Sequence, residues 1–187
     1  MKKIYIILTK SPPLLSRSIG WVTKDEYTHS SISFNSTIQP MYSAGRKYAF
    51  SLFPASLKVE PLTVSFYKYF NKSKMGIFYL EVSDEAYYKT KEYVETMVAK
   101  RLPFNAIGLL LCKTKIDYPR EGRFFCSEFV STALQVSGEI DILKKPNLYR
   151  PEDFTRIKGI RLLYKGIIKD AVGRDFKDLL PKETDKQ

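Results

Sequence analysis

The chain has 187 residues, 44% of them hydrophobic and 27% charged, with a formal net charge of +11. A polypeptide of this size and balance buries roughly 70% of its unfolded surface, which excludes a wholly disordered chain. Two cysteines exclude a disulfide scaffold, and no apolar run approaches the ~18 residues that cross a bilayer.

Ile4 to Leu8 is a short apolar run rich in β-branched residues and predicts a buried strand. Preceded by Lys2-Lys3 and stopped at Thr9-Lys10, it is too short for a secretory signal and has no small-residue cleavage site. The expectation is a cytoplasmic, reduced protein in which a free thiol persists. Ser11-Pro12-Pro13 breaks the strand, and Leu14 to Val22 predicts a short helix anchored by Trp21. Tyr27 to Phe34 alternates as a strand, Asn35-Ser36-Thr37 has turn chemistry, and Ile38 to Ala44 reads as the returning strand, ended by Gly45-Arg46-Lys47. Residues 48–75, punctuated by Pro54 and Pro61, read as an irregular region or insertion.

Gly76 to Val82 predicts another central strand. Ser83 is a ready N-cap for a helix over Asp84 to Leu102, stopped by Pro103. Ala106 to Cys112 predicts a short apolar helix in which Cys112 is a small buried hydrophobe. Phe125, Phe129, Val130, Ala133, Leu134 and Val136 recur at helical spacing, and Ser137-Gly138 closes that helix. A loop between Pro146 and Pro151 leads to Pro151-Glu152-Asp153-Phe154, and Ile160 to Leu163 predicts a last strand. The pattern is α+β in one domain over residues 1–170, with 171–187 as a polar tail.

The chain has one histidine, His29. If imidazole moves a proton here, only this residue can do it. Cys126 falls in the first turn of its predicted helix, where unpaired backbone N–H groups and the dipole favour a thiolate. The same N–H groups suit an oxyanion formed when a carbonyl is attacked. Glu128, two residues on, reads as a favourable first-turn charge. A three-residue loop at Asn35-Ser36-Thr37 would set Ser43 opposite His29, ready to fix its tautomer; a two-residue loop would set Tyr42 there, and Gln39 is a third candidate.

His29 to Lys47, a strand–helix interval, and then Phe125-Cys126-Ser127-Glu128-Phe129-Val130 resemble the circularly permuted NlpC/P60 (papain-like) superfamily, in particular its YiiX-like members. Thr28-His29-Ser30-Ser31-Ile32 looks like the histidine motif, Met41-Tyr42-Ser43-Ala44 occupies the place of the strand ending in the third polar residue, and Pro151-Glu152-Asp153-Phe154 is similar to the downstream turn. The resemblance covers roughly residues 3–165. It implies an antiparallel sheet or small barrel packed against the cysteine helix, with Cys126 as nucleophile, His29 as base and Ser43 as third member. Relatives often carry a stronger group at the third position. The implied activity is that of a cysteine hydrolase (peptidase or amidase) or acyltransferase on a peptide, other amide, ester or thioester, including lipid-acyl substrates, without a cofactor.

Two other readings use the same residues. A non-catalytic binding module on this fold would leave Cys126 an ordinary thiol. A nucleic-acid-binding protein would use the positive charge and the aromatic–basic run Phe66-Tyr67-Lys68-Tyr69-Phe70-Asn71-Lys72-Ser73-Lys74, although an edge strand with exposed lysines explains that run more simply. The charge also suits another anionic partner: residues 1–75 carry +8, 76–143 carry −2 and 144–187 carry +5. Two distant cysteines and one histidine lack the ligand pairs of a zinc site, and there is no glycine-rich phosphate loop.

Overall fold

A computed structural model describes residues 1–10, 25–48, 54–63 and 65–181, except the side chains of 65 and 66. The helix expected over Leu14 to Val22 lies outside the described residues. The rest is an α+β structure built on one antiparallel sheet of six strands: β1 (Lys2–Thr9), β2 (His29–Ser33), β3 (Tyr42–Arg46), β4 (Ala55–Val59), β5 (Lys74–Val82) and β6 (Arg161–Ile167). Their order across the sheet is β4-β3-β2-β1-β5-β6.

The continuous apolar run near the N-terminus is explained by burial on both faces of β1. Ile4, Ile6 and Leu8 pack with Ile32, Leu80, Phe129, Val130 and Ala133. Tyr5 and Ile7 face the other way, against Ile77, Tyr67, Ile168 and Phe176. At roughly 25 cal/mol per Å² of apolar area removed from water, two such layers make β1 and β5 the centre of the fold's stability. β1 pairs with β5 from Lys2–Val82 to Thr9–Met75 and with β2 from Tyr5–Ser33 to Thr9–His29, so β2 is an interior strand.

Among the described residues five short to medium α-helices complete the layers: α1 (Ser65–Tyr69), α2 (Asp84–Ala99), α3 (Ala106–Lys113), α4 (Cys126–Val136) and α5 (Ile168–Ala171). Ser83 caps α2, its Oγ accepting the Ala86 N–H at 3.1 Å. Nearly every residue of α4 is buried, and the helix packs on β2, β3 and α2.

Three stretches depart from the sequence expectations. Residues 48–75, read as irregular or inserted, contribute β4, α1 and the start of β5. The strand expected to stop before Gly45-Arg46-Lys47 runs through Gly45 and Arg46. The chain after Asp170, expected as a polar tail, folds back: Ala171 and Phe176 are buried and the Phe176 N–H donates to the Ser36 carbonyl at 3.1 Å. One large aromatic outweighs the polar residues around it.

Candidate active site

Cys126 is the first residue of α4, following Phe125, whose backbone is extended at φ −98°, ψ 171°. The helix start is fastened from its own side chains. Ser127 Oγ donates to the Tyr149 carbonyl at 2.6 Å, and Glu128 accepts from the Phe125 N–H and from Asn105 Nδ2, each at 3.2 Å. Glu128 is therefore a buried structural acceptor, and burial lifts its carboxyl above the usual range despite those two donors. Cys126 itself is 6% exposed.

His29 opens β2, at the end of the sheet, where its ring meets both Cys126 and Glu60. Glu60 Oε2 lies 2.9 Å from His29 Nε2, which leaves Nδ1 for the thiol. The same carboxylate oxygen accepts from Tyr67 Oη at 3.1 Å and Ser31 Oγ at 3.2 Å, while Lys58 Nζ stands 3.5 Å from Oε1. Four partners thus hold a buried carboxylate in one orientation, which burial without partners would not permit.

Ser43, expected beside His29, does reach its ring, but from farther away than Glu60. The expected three-residue hairpin loop is not formed; residues 34–41 connect the strands, and β2 meets β3 at Ile32–Tyr42. Continued toward the start of β2, that register sets Gly45, not Ser43, across from His29. A shift of two residues keeps Ser43 on the same side, with Oγ 3.4 Å from His29 Nε2, but its hydroxyl donates to the Ser30 carbonyl at 2.8 Å. Tyr42 directs its hydroxyl to Glu95 at 3.3 Å, and Gln39 makes no hydrogen bond to His29. Gly45 has its own role: a Cβ there would stand 2.3 Å from Glu60 Oε1. The glycine is the gap through which the carboxylate approaches the ring.

Sequence reasoning missed Glu60, yet a signal exists. Between Glu26 and Glu81 the chain carries a single carboxylate, in an otherwise basic stretch. Pro61 also biases Glu60 to extended backbone, prolonging β4, and the Glu60 N–H donates to the Met41 carbonyl at 2.8 Å.

The electrostatics follow from these contacts. Burial opposes a charged His29, but the Glu60 carboxylate and hydrogen bonds to Cys126 and Glu60 raise its pKa far above the ordinary imidazole value. Burial likewise opposes ionised Glu60; His29 and Lys58 nevertheless keep it well below the usual carboxylate range. Burial also pushes the Cys126 thiol up, and the His29 hydrogen bond and charge, with the Ser30 and Ser127 backbone N–H groups, bring it below its ordinary value. These contacts together favour a thiolate, an imidazolium and a carboxylate in a row. By contrast, burial above all lifts Cys112 to about 11.

The downstream turn joins the two halves of the site. Glu152 Oε1 accepts the Tyr27 N–H at 2.7 Å, and Arg150 pairs with Asp25, just ahead of His29. Tyr149, one residue before Arg150, receives Ser127 from the cysteine helix. Among the described residues no group of three or more His, Cys, Asp or Glu is placed to hold a metal ion. No helix among them is long and apolar enough to cross a membrane. Tyr67, part of the aromatic–basic run, is buried with its hydroxyl on Glu60, so its ring is not a stacking surface. No family model, curated protein or solved structure matches the chain.

Proposed function

We propose that the protein is a cysteine hydrolase or acyltransferase of the permuted papain-like kind, acting in a reducing, cytoplasmic setting on a carbonyl substrate. The observation that carries this reading is the row Cys126–His29–Glu60, with the thiol at a helix start. The thiolate attacks an amide, ester or thioester carbonyl, forming a C–S bond, and the charge on oxygen is taken by backbone N–H groups at the start of α4. His29 gives its Nδ1 proton to the departing amine, alkoxide or thiolate as that bond breaks, leaving an acyl-thioester on Cys126. Neutral His29 then takes a proton from water or another acceptor, whose attack breaks the C–S bond and restores the thiolate–imidazolium pair. Glu60 acts as a positioning residue, holding the ring and stabilising its charge; Ser43 serves the backbone of β2.

The test uses p-nitrophenyl acyl esters. A burst of p-nitrophenol matching the protein concentration, with the acyl mass on the peptide carrying Cys126 and no burst in Cys126→Ser, is the expected result. No burst, together with iodoacetamide alkylation that rises only near pH ~8.5 as for a free thiol, would leave a binding module on this fold instead.

A further inference from the structure

Ser30 carries three polar groups, and the fold pairs two of them. Its carbonyl accepts from Ser43 Oγ at 2.8 Å, and its N–H donates to the Cys126 sulfur. Pairing of β2 with β3 is limited to Ile32–Tyr42, so Ser30 has no β3 backbone partner across from it. The third group, Oγ, is buried and has no hydrogen-bond partner among the described residues; the residue as a whole is 0% exposed. Thr9 Oγ1 and Gln39 Nε2 share that condition, and Ser30 is set apart from them by its own N–H on the nucleophile. Its side chain faces the cysteine helix. Ser30 is opposed to Leu8 in the β1–β2 register, opposed residues share a face, and Leu8 packs in one cluster with Phe129, Val130 and Ala133 of α4. A hydroxyl so placed is costly at rest, since it has given up water and gained no partner. The cost is explained if the partner arrives with the reaction.

We infer that Ser30 is a further catalytic residue, its hydroxyl the side-chain donor to the oxyanion that forms beside Cys126; this rests on the acyl-transfer reading. As the thiolate forms the C–S bond, the carbonyl π pair moves onto oxygen, and that oxygen sits on the carbon joined to the sulfur. The Ser30 N–H already lies against this sulfur, and Oγ belongs to the same residue. Rotation about Cα–Cβ turns the hydroxyl to the new charge without movement of β2. It lends a hydrogen bond and keeps its proton. When the intermediate collapses, the electron pair returns to the carbonyl, the leaving-group bond breaks, and the hydroxyl is unpaired again. An interaction absent at rest and made in the transition state raises kcat and leaves KM alone. Ser30 thus works from the strand side, opposite the backbone N–H groups that α4 supplies.

Ser30→Ala in the full chain tests this, because it removes the hydroxyl and keeps the N–H. With a p-nitrophenyl acyl ester, the acylation rate should fall about 100-fold, with the half-saturating ester concentration within about twofold of the parent's. Tm should be equal or higher, since the change deletes a buried group that has no partner. The alkylation midpoint of Cys126 should stay where the parent has it. With the matching thionoester, whose sulfur accepts hydrogen bonds poorly, the gap between parent and variant should narrow. An unchanged acylation rate in Ser30→Ala overturns the assignment, as does an equal gap with both esters. A lowered Tm overturns it too, by showing a hydroxyl bonded at rest, and a shifted midpoint does so by placing the hydroxyl on the thiolate. A parent that gives no burst overturns the acyl-transfer reading and the part of Ser30 in it together. A parent that bursts beside an equally fast variant overturns the part of Ser30 alone.

Discussion

Glu60 Oε2 and His29 Nε2 lie 2.9 Å apart, joined across a sheet by residues 31 positions distant in the chain. This contact favours the protonated imidazole, and the protonated imidazole in turn favours the thiolate. Glu60→Gln retains shape and removes charge. His29 should fall toward its ordinary value, and the midpoint of Cys126 alkylation against pH should rise by about 1 unit or more. Acyl turnover should drop about 100-fold. A purely structural Glu60 would lower stability without moving that midpoint.

Ser43→Ala is the contrasting variant. Its hydroxyl proton goes to the Ser30 carbonyl, and its 3.4 Å approach to the ring is long. The expected cost is about 1 kcal/mol of stability, read by urea denaturation, with the alkylation midpoint where the parent has it. A midpoint shift as large as that of Glu60→Gln would return Ser43 to the third position.

Gly45→Ala tests the same relay from the far side. Its new methyl group would meet Glu60 Oε1 at 2.3 Å, so the carboxylate or β3 must move. A loss of about 1–3 kcal/mol is expected, lowering Tm by about 2–12 °C, with an upward shift of the alkylation midpoint. Because both changes act on one contact, Gly45→Ala/Glu60→Gln should cost less than the two singles combined.

Stability should depend on pH with a definite sign. Glu60 is depressed in the folded state, so its contribution is present above the ordinary carboxylate range and is lost as pH falls through the depressed value. His29 is raised, so its contribution is full below the ordinary imidazole value and is lost as pH rises through the raised one. Depressed Cys126 contributes in the opposite sense, above the ordinary thiol value, and offsets part of the alkaline loss. Unfolding followed against pH should therefore show the parent exceeding Glu60→Gln most between the carboxylate and imidazole ranges, with the gap closing toward acid. A gap constant down to pH ~2 would contradict an ionised Glu60.

The sequence carried β1, β2, α2, α3 and α4 because each has local chemistry: a β-branched run, polar alternation, a serine cap, an apolar helix, a helical repeat. It also carried Cys126 and His29, the latter by scarcity. The third group was not legible in the same way, because it depends on register. Counting Asn35-Ser36-Thr37 as the whole turn placed Ser43 two positions out of register and left β4 unrecognised between Pro54 and Pro61. Those prolines bound the strand rather than breaking it: the Lys47 N–H donates to the Pro54 carbonyl, and Pro61 follows Glu60. Phe176 was lost among polar neighbours for a related reason, since no local pattern reports which distant face an isolated aromatic will fill.

The link between α2 and α3 gives the molecule an asymmetry in how it can aggregate. Leu57 donates its N–H to the Leu102 carbonyl and Phe104 donates to the Ala55 carbonyl, so Leu102-Pro103-Phe104 closes the outer margin of β4. β6 ends the sheet on the other side, with Arg161 and Lys165 exposed along it. A foreign strand seeking to extend the sheet is therefore directed to β6, where those charges discourage it. The β2-β3-β4 half, which holds His29 and Glu60, is shielded from templated growth by three residues of the segment that connects two helices.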